Sequence, residues 1–365
     1  MIEAGKLDVV WDMETHDPDD FLTLLLLLGH PRVNLKAVTI TPGSAWQVGL
    51  VRKALAWFGR AIPVGAGNLD HPKPCVSSWH ERAYGAWEPS RDAEPAADVL
   101  RRECDEQTTL LTGGPLKNLG AAMKQPGFRV GRLVVQGGFA GEGVVPPDRQ
   151  LDKFRGRTTC PTFNLNGDPK AALAALVHPG IGARRFVSKN VCHGVVYDRA
   201  LHERVAGVKD GSPSLERIWQ GMEVFLARKE AKLGHALRVD HEIMADTVLL
   251  VDADGTRLGE TPRADALARA RAAGLALVEV NEEASPPVCR LMPAPEPTEH
   301  APVGKMFHDP LAACCAIDER VGDWAEVELF RARGEWGSRL SPGSGTWIIT
   351  AYDPERFWSV LSARA

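Results

Sequence analysis

The sequence lacks an apolar run of membrane length: Phe21–Leu28 is too short to span a bilayer and follows directly on acidic residues. Met1–Trp11 has no basic head, no apolar stretch of signal length and no small-residue cleavage site, so cytoplasmic residence is expected. There is no C-x-x-C pair among the seven cysteines, an odd number that favours reduced, buried thiols over a zinc site. Nor is there an excess of positive charge. A net charge of -4 gives no global attraction to phosphate backbones, so contact with nucleic acid would have to come from a local patch. With 44% apolar and 25% charged residues, the composition excludes the disordered and membrane classes.

What is present is an alternation of strand-like and helical patterns, the signature of an α/β doubly wound, mostly parallel sheet. Leu7–Trp11, Leu35–Thr41, Ala61–Gly65, Thr108–Thr112, Arg132–Gln136 and Arg185–Val191 read as strands, and Trp46–Phe58, Leu116–Met123 and Pro169–Val177 as helices. Sheets of this kind present ligands at the carboxyl ends of their strands, so motifs placed there carry most weight.

After Val224 the character changes. Phe225–His241 is basic and helical, and a self-contained ββαββ unit follows. Thr247–Val251 and Thr256–Gly259 flank an Asp-Gly turn, and Thr261–Pro262 reads as the start of a helix over Ala264–Ala273 that Gly274 stops. Leu275–Val280 and Val288–Met292 complete the unit, and Pro293–Pro302 reads as a return linker. The expected division is a discontinuous large domain, 1–230 and 296–365, interrupted by a small α+β domain at 231–295.

The segment Asp12-Met13-Glu14-Thr15-His16-Asp17-Pro18-Asp19-Asp20 is the most informative. Asp12 closes a buried strand, Asp17 and Pro18 suit the N-cap and first position of the next helix, and Asp19 and Asp20 fall in its first turn. Helix N-termini attract one or two carboxylates, but not a further one on the adjoining strand tip. Carboxylates so close repel unless a cation lies among them, and a hard, oxygen-ligated cation is the natural answer.

This cluster resembles the aspartate-rich opening motif of the inosine–uridine nucleoside hydrolase family, with one extra residue before the final pair. Further motifs follow in the family's order: Pro63-Val64-Gly65-Ala66-Gly67, Gly113-Gly114-Pro115-Leu116-Lys117-Asn118-Leu119, Gln136-Gly137-Gly138, Phe163-Asn164 with Asp168-Pro169, Asn190-Val191-Cys192-His193, and His308-Asp309-Pro310-Leu311-Ala312. The resemblance implies an N-ribosyl hydrolase dependent on Ca2+, with Asp12, Asp20, Asp309 and the carbonyl of Phe139 as metal ligands. It implies that Asp12 takes the proton of a metal-bound water attacking the ribose anomeric carbon through an oxocarbenium-like transition state. It also implies that Asp19 and Asn164 hold the ribose hydroxyls, and that His308 acts as general acid for the departing base or only braces its loop.

Two departures bear on the substrate. Thr162 stands where the family usually has Glu, and Ser44, a candidate substrate contact, where it usually has Asn. The loop that in relatives helps hold the 5′-hydroxyl carries Lys153, Arg155 and Arg157, which suits a 5′-phosphate as well as it suits solvated surface charge. The substrate expectation is therefore a nucleoside or a 5′-nucleotide.

Arg238–Met292, above all Pro286-Pro287-Val288-Cys289-Arg290, resembles the N-terminal domain of bacterial translation initiation factor three. That resemblance implies RNA or ribosome docking through 231–295, while a reused module can equally cover a site or join subunits into a homo-oligomer. Arg228, Lys229, Lys232, Arg238, Arg263, Arg269 and Arg271 would suit phosphate contacts or an exposed helix face. Three readings stand: a hydrolase of a small nucleoside or nucleotide, an RNA-directed base-removing enzyme that swings out its target, and a non-catalytic ribose or RNA binder. The intact acidic set argues against the third.

Overall fold

The structure is a computed structural model that describes residues 5–234, 238–281, 284, 286–293 and 304–364. It divides into two compact units: Met1–Phe225 with Gly304–Ala365, and Leu226–Val303.

The large unit is built on strands β1 (Leu7–Met13), β2 (Val33–Ile40), β3 (Val64–Ala66), β4 (Glu94–Pro95), β5 (Thr109–Thr112), β6 (Val130–Gln136), β7 (Thr159–Cys160), β8 (Ile181–Val187) and β9 (Val196–Asp198). The small unit supplies β10 (Thr247–Val251), β11 (Arg257–Pro262), β12 (Ala276–Asn281) and β13 (Val288–Met292). The chain then returns to the large unit with β14 (Gly304–Met306), β15 (Gly322–Ala332), β16 (Glu335–Leu340) and β17 (Thr346–Tyr352).

Eleven strands form one sheet in the order β4-β3-β2-β1-β5-β6-β8-β17-β15-β16-β7. It is parallel from β4 to β17 and antiparallel beyond. Central strands are buried on both faces, as helix-covered parallel sheets require: Val9, Val10, Trp11, Leu110 and Leu111 are fully buried. A core of Val10, Leu110, Leu133, Val135, Phe186 and Ile348 fills one side. A separate antiparallel pair joins β14 to β9.

Two local expectations need correction. Arg185–Val191 is not one strand: β8 ends at Val187, and Ser188 caps a short helix, Lys189–Cys192, by accepting from the Asn190 amide. Asp17 does occupy the N-cap of the helix Pro18–Gly29 but makes no capping bond; its carboxylate lies 3.1 Å from Lys305 Nζ.

The small unit is the ββαββ arrangement, with strand order β11-β10-β13-β12 and the helix Arg263–Ala272. Its core is Ile243, Val248, Leu250, Ala266, Ala270, Leu277, Cys289 and Leu291. Thr261 and Pro262 close β11, in register with Val248 and Thr247 of β10, and Pro262 rather than Thr261 stands at the N-cap of the helix. Gly274, with φ of 67°, stops the helix in the left-handed region that a side chain disfavours. The return linker from 294 onward and the side chain of Lys232 lie outside the described residues. Among the described residues no helix is long and apolar enough to cross a membrane.

Candidate active site

The site forms where β1, β5 and β6 end. Parallel register sets Asp12 beside Thr39 of β2 and Thr112 of β5. Asp12 is fully buried; its Oδ1 accepts from Thr39 Oγ1 at 2.6 Å and Asn118 Nδ2 at 2.8 Å, while its Oδ2 has no partner. Burial pushes this carboxyl up to about 6, although both hydrogen bonds favour the charged form.

The helix Pro18–Gly29 and the helix His308–Ile317 bring Asp19, Asp20 and Asp309 together, their carboxylate oxygens within 4.8 Å of one another. Asp20 Oδ1 accepts from the Glu14 amide at 3.0 Å, and among the described residues Asp309 Oδ1 has no partner. Burial, and then the charges of Asp309, Glu14 and Asp19, push Asp20 well above the ordinary carboxylate range, and burial followed by the charge of Asp19 does the same to Asp309. Burial followed by the charges of Asp17 and Asp19 raises Glu14 to about 7. Asp19 behaves differently. Burial pushes it up too, but the Lys305 ammonium at 3.0 Å and the His308 and Asp309 amides hold it below its ordinary value.

Gly113, just past β5, shows how tightly the pit is drawn. A Cβ there would sit 2.3 Å from the Trp11 ring, 2.7 Å from Asp309 Oδ1 and 2.9 Å from Asp20 Oδ1. Its carbonyl accepts from Asn164 Nδ2 at 2.8 Å, and the same nitrogen reaches Gln136 O at 3.0 Å and Gln136 Oε1 at 2.7 Å. The amide nitrogen of Asn164 is thus committed to the backbone that shapes the pit.

On the other side of His308, its ring stacks on His193 with centroids 4.8 Å apart and planes at 22°. Burial lowers His308 to about 4 and His193 to about 3, and neighbouring lysines add to both effects. His308 Nε2 is buried with no partner. A ring held neutral at pH 7 offers a hydrogen bond to a departing base rather than a stored proton.

The geometry gives the residues expected at the site the following neighbours. The trio of mutually close carboxylates contains Asp19, with Asp12 outside it. The Phe139 carbonyl, expected as a metal ligand, accepts from Ser338 Oγ at 2.9 Å, in a fully buried residue. Ser44 caps the helix Ala45–Trp57, accepting from the Gln47 amide and donating to Pro74 O at 2.5 Å, so its hydroxyl is occupied by the fold. Thr162 is buried. Arg155 pairs with Asp152 at 2.6 Å, and both Arg155 and Arg157 are exposed.

Lys305, Asn118 and His193 join the site without having been assigned roles from sequence. Lys305 is the least legible: a lone lysine after a proline-rich stretch signals nothing until β14 places it, buried, beside Asp17 and Asp19.

A purine-preferring ribonucleoside hydrolase from Gardnerella vaginalis superposes with a TM-score of 0.59 at 14% identity, over 98% of this chain and 97% of that one. A plant nucleoside hydrolase gives 0.58 at 15%, covering 98% of each chain. An inosine-uridine preferring nucleoside hydrolase from Bacillus anthracis gives 0.56 at 15%, covering 97% and 98%. The fold is that of the nucleoside hydrolases. In sequence, a pyrimidine-specific ribonucleoside hydrolase from Shewanella sp. (strain MR-7) is 28% identical over 180 residues, 42% of this chain and 51% of that protein.

On this nucleoside hydrolase fold the second unit has a different kinship. Residues 239–295 match the family model "Translation initiation factor IF-3, N-terminal domain". The factor of Endomicrobium trichonymphae is 49% identical over 55 residues, 15% of this chain and 30% of that protein, and that of Caulobacter vibrioides is 46% identical over 55 residues. The chain therefore spans about half or less of the length of these curated relatives. Within this unit Arg269 and Arg271 are exposed on the helix, whereas Arg263 donates to the Ile243 carbonyl and Arg290 to the Ala253 carbonyl at 2.9 Å.

Proposed function

We propose that this chain hydrolyses the N-glycosidic bond of a ribonucleoside or 5′-nucleotide, with a bound Ca2+ ion. The observation that supports the reading is the meeting of Asp19 and Asp20 with Asp309, from the far end of the chain, while Asp12 lies buried at the tip of the preceding strand and, among the described residues, Asp12 Oδ2 and Asp309 Oδ1 lack partners. Buried carboxylate oxygens left bare beside other carboxylates fit a hard divalent ion and little else. Asp20 and Asp309, with Asp12 beside them, would hold it; when bound, it would neutralise their charge and lower the pKa of water.

The chain's own groups supply the rest. Asp12, held by Thr39 and Asn118, takes a proton from the water whose oxygen bonds to the anomeric carbon. The C–N bond breaks with its electron pair on the base nitrogen, which takes a proton from bulk water as the base leaves, while the proton held by Asp12 returns to solvent. His308 stands by as a neutral hydrogen-bonding group. Asp19, kept ionised by Lys305, and the Oδ1 of Asn164 take the ribose hydroxyls. The seven free, buried cysteines agree with residence in the reducing cytoplasm.

The initiation-factor match favours a second reading, in which the inserted unit brings the site to RNA and the target base is swung out. Exposed Arg269 and Arg271 are its electrostatic support. One experiment separates these: the full chain is offered ribonucleosides, 5′-nucleotides and RNA, with calcium and with chelator, and free base is measured. Base release that needs calcium and disappears in Asp12→Asn, with the melting curve retained, is the expected result. A folded, calcium-loaded protein that frees base from none of them is not a ribosyl hydrolase.

A further inference from the structure

Beside His308 and His193 lies a cation, Lys153, that the hydrolysis itself does not use. The short turn Asp152–Phe154 is pinned by Phe154, which is buried and packs edge-on against Phe139 at 5.4 Å and His193 at 5.5 Å. Asn190 braces the same turn, accepting from the Leu151 amide at 3.1 Å while donating to Ala140 O. This anchoring sets Lys153 Nζ 2.8 Å from His193 Nδ1, and His193 stacks on His308, next to Asp309.

The hydrogen bond fixes the chemistry of that ring. An ammonium can only donate, so His193 Nδ1 accepts and the neutral ring carries its proton on Nε2. Lys153 keeps two further N–H donors and His193 offers a third. Among the described residues Lys153 has no carboxylate partner; its other neighbour is the Phe154 ring, 5.2 Å from Nζ. The positive charges of Lys153, Lys189 and Lys305 all bear on the His193 ring. Arg155, by contrast, has its counter-ion in Asp152. A cation held in place, without a carboxylate, beside an N–H donor is an anion site.

The identity of the anion follows from the substrate's own valences, and here the inference rests on the hydrolase reading above. On a ribosyl group whose 2′- and 3′-hydroxyls meet Asp19 and Asn164 and whose anomeric carbon carries the base, C5 is the remaining place for a charged group. We infer that Lys153 and His193 bind a 5′-phosphate, making the preferred substrate class a ribonucleoside 5′-monophosphate rather than a free nucleoside.

The test uses the full-length Asp12→Asn protein, so that bound ligand is not consumed, and measures calorimetric affinities for adenosine, uridine and their 5′-monophosphates in calcium. At least one monophosphate is expected to bind about tenfold or more tighter than its nucleoside, an advantage that shrinks with added salt. Adding Lys153→Met should bring the ratio to about one, with Lys153→Gln as a second variant should the first fail to fold. Equal affinities, or binding of no ligand at all, overturn the inference. So does a preference that survives both Lys153 variants or is lost instead in Arg155→Ala. Base release from free nucleosides by the unaltered protein without any such preference would remove this inference and leave the hydrolase reading standing.

Discussion

Replacing Asp309 by asparagine is expected to stabilise the metal-free protein and to destroy its response to calcium. The carboxylate oxygens of Asp19, Asp20 and Asp309 lie within 4.8 Å of one another. Two full charges at that spacing repel by about 3 kcal/mol at an effective dielectric constant of about 20. Burial and repulsion already raise Asp20 and Asp309, so protonation relieves part of this, and about 1–3 kcal/mol remains for the substitution to recover. Asparagine keeps the shape, and no hydrogen bond to Asp309 Oδ1 is lost because none exists. Calcium at about 100 times its dissociation constant should add about 2.7 kcal/mol to the unaltered protein and nothing to the variant. Urea unfolding followed by tryptophan fluorescence, in chelator and in calcium, reads both effects. A variant that is less stable in chelator, or that calcium still stabilises, would refute the argument that these carboxylates are held together for a cation.

Other expectations follow from the same geometry. Asp12 is raised from its ordinary value to about 6, so its charged form costs stability. That contribution is intact below the unfolded pKa and is lost as pH rises through about 6, by up to about 3 kcal/mol. In chelator, Asp12→Asn should therefore flatten the stability curve between about pH 4 and 6, and an unchanged slope would count against this burial. Lys305→Met leaves Asp19 buried without its ammonium partner and should cost about 3–5 kcal/mol, read by chemical denaturation. Gly113→Ala drives a methyl into the Trp11 ring and the two carboxylates and should cost about 1–3 kcal/mol, with calcium affinity reduced in a titration. Ser44→Ala should cost about 0.5–2 kcal/mol as a lost helix cap while leaving turnover unchanged; a selective loss of turnover would return Ser44 to the substrate site.

The parts of the site legible in the sequence are those where one short segment holds the chemistry. Asp12, Asp19 and Asp20 announce themselves because a strand tip and the following helix start are bound to adjoin. Asn164 and Asp309 became visible only through motif resemblance. Ser44 is ambiguous in the sequence because the same hydroxyl that could meet a substrate also caps a helix, and sequence alone does not say which neighbour it finds. Lys153, Arg155 and Arg157 are alike by charge in the sequence; only the structure separates Lys153, whose neighbour His193 is 40 residues away, from Arg155, which pairs with Asp152.

By itself the sequence determined the alternating architecture, the interruption by a ββαββ unit and the presence of an acidic strand tip, since each follows from local periodicity and turn chemistry. Tertiary structure alone decided which carboxylates touch, which of them is neutralised and by what. Those answers depend on Lys305 and Asp309 returning beside residues near the start of the chain. No local rule fixes so distant a meeting; it is set by the order of strands in the sheet and by what burial does to charge once they meet.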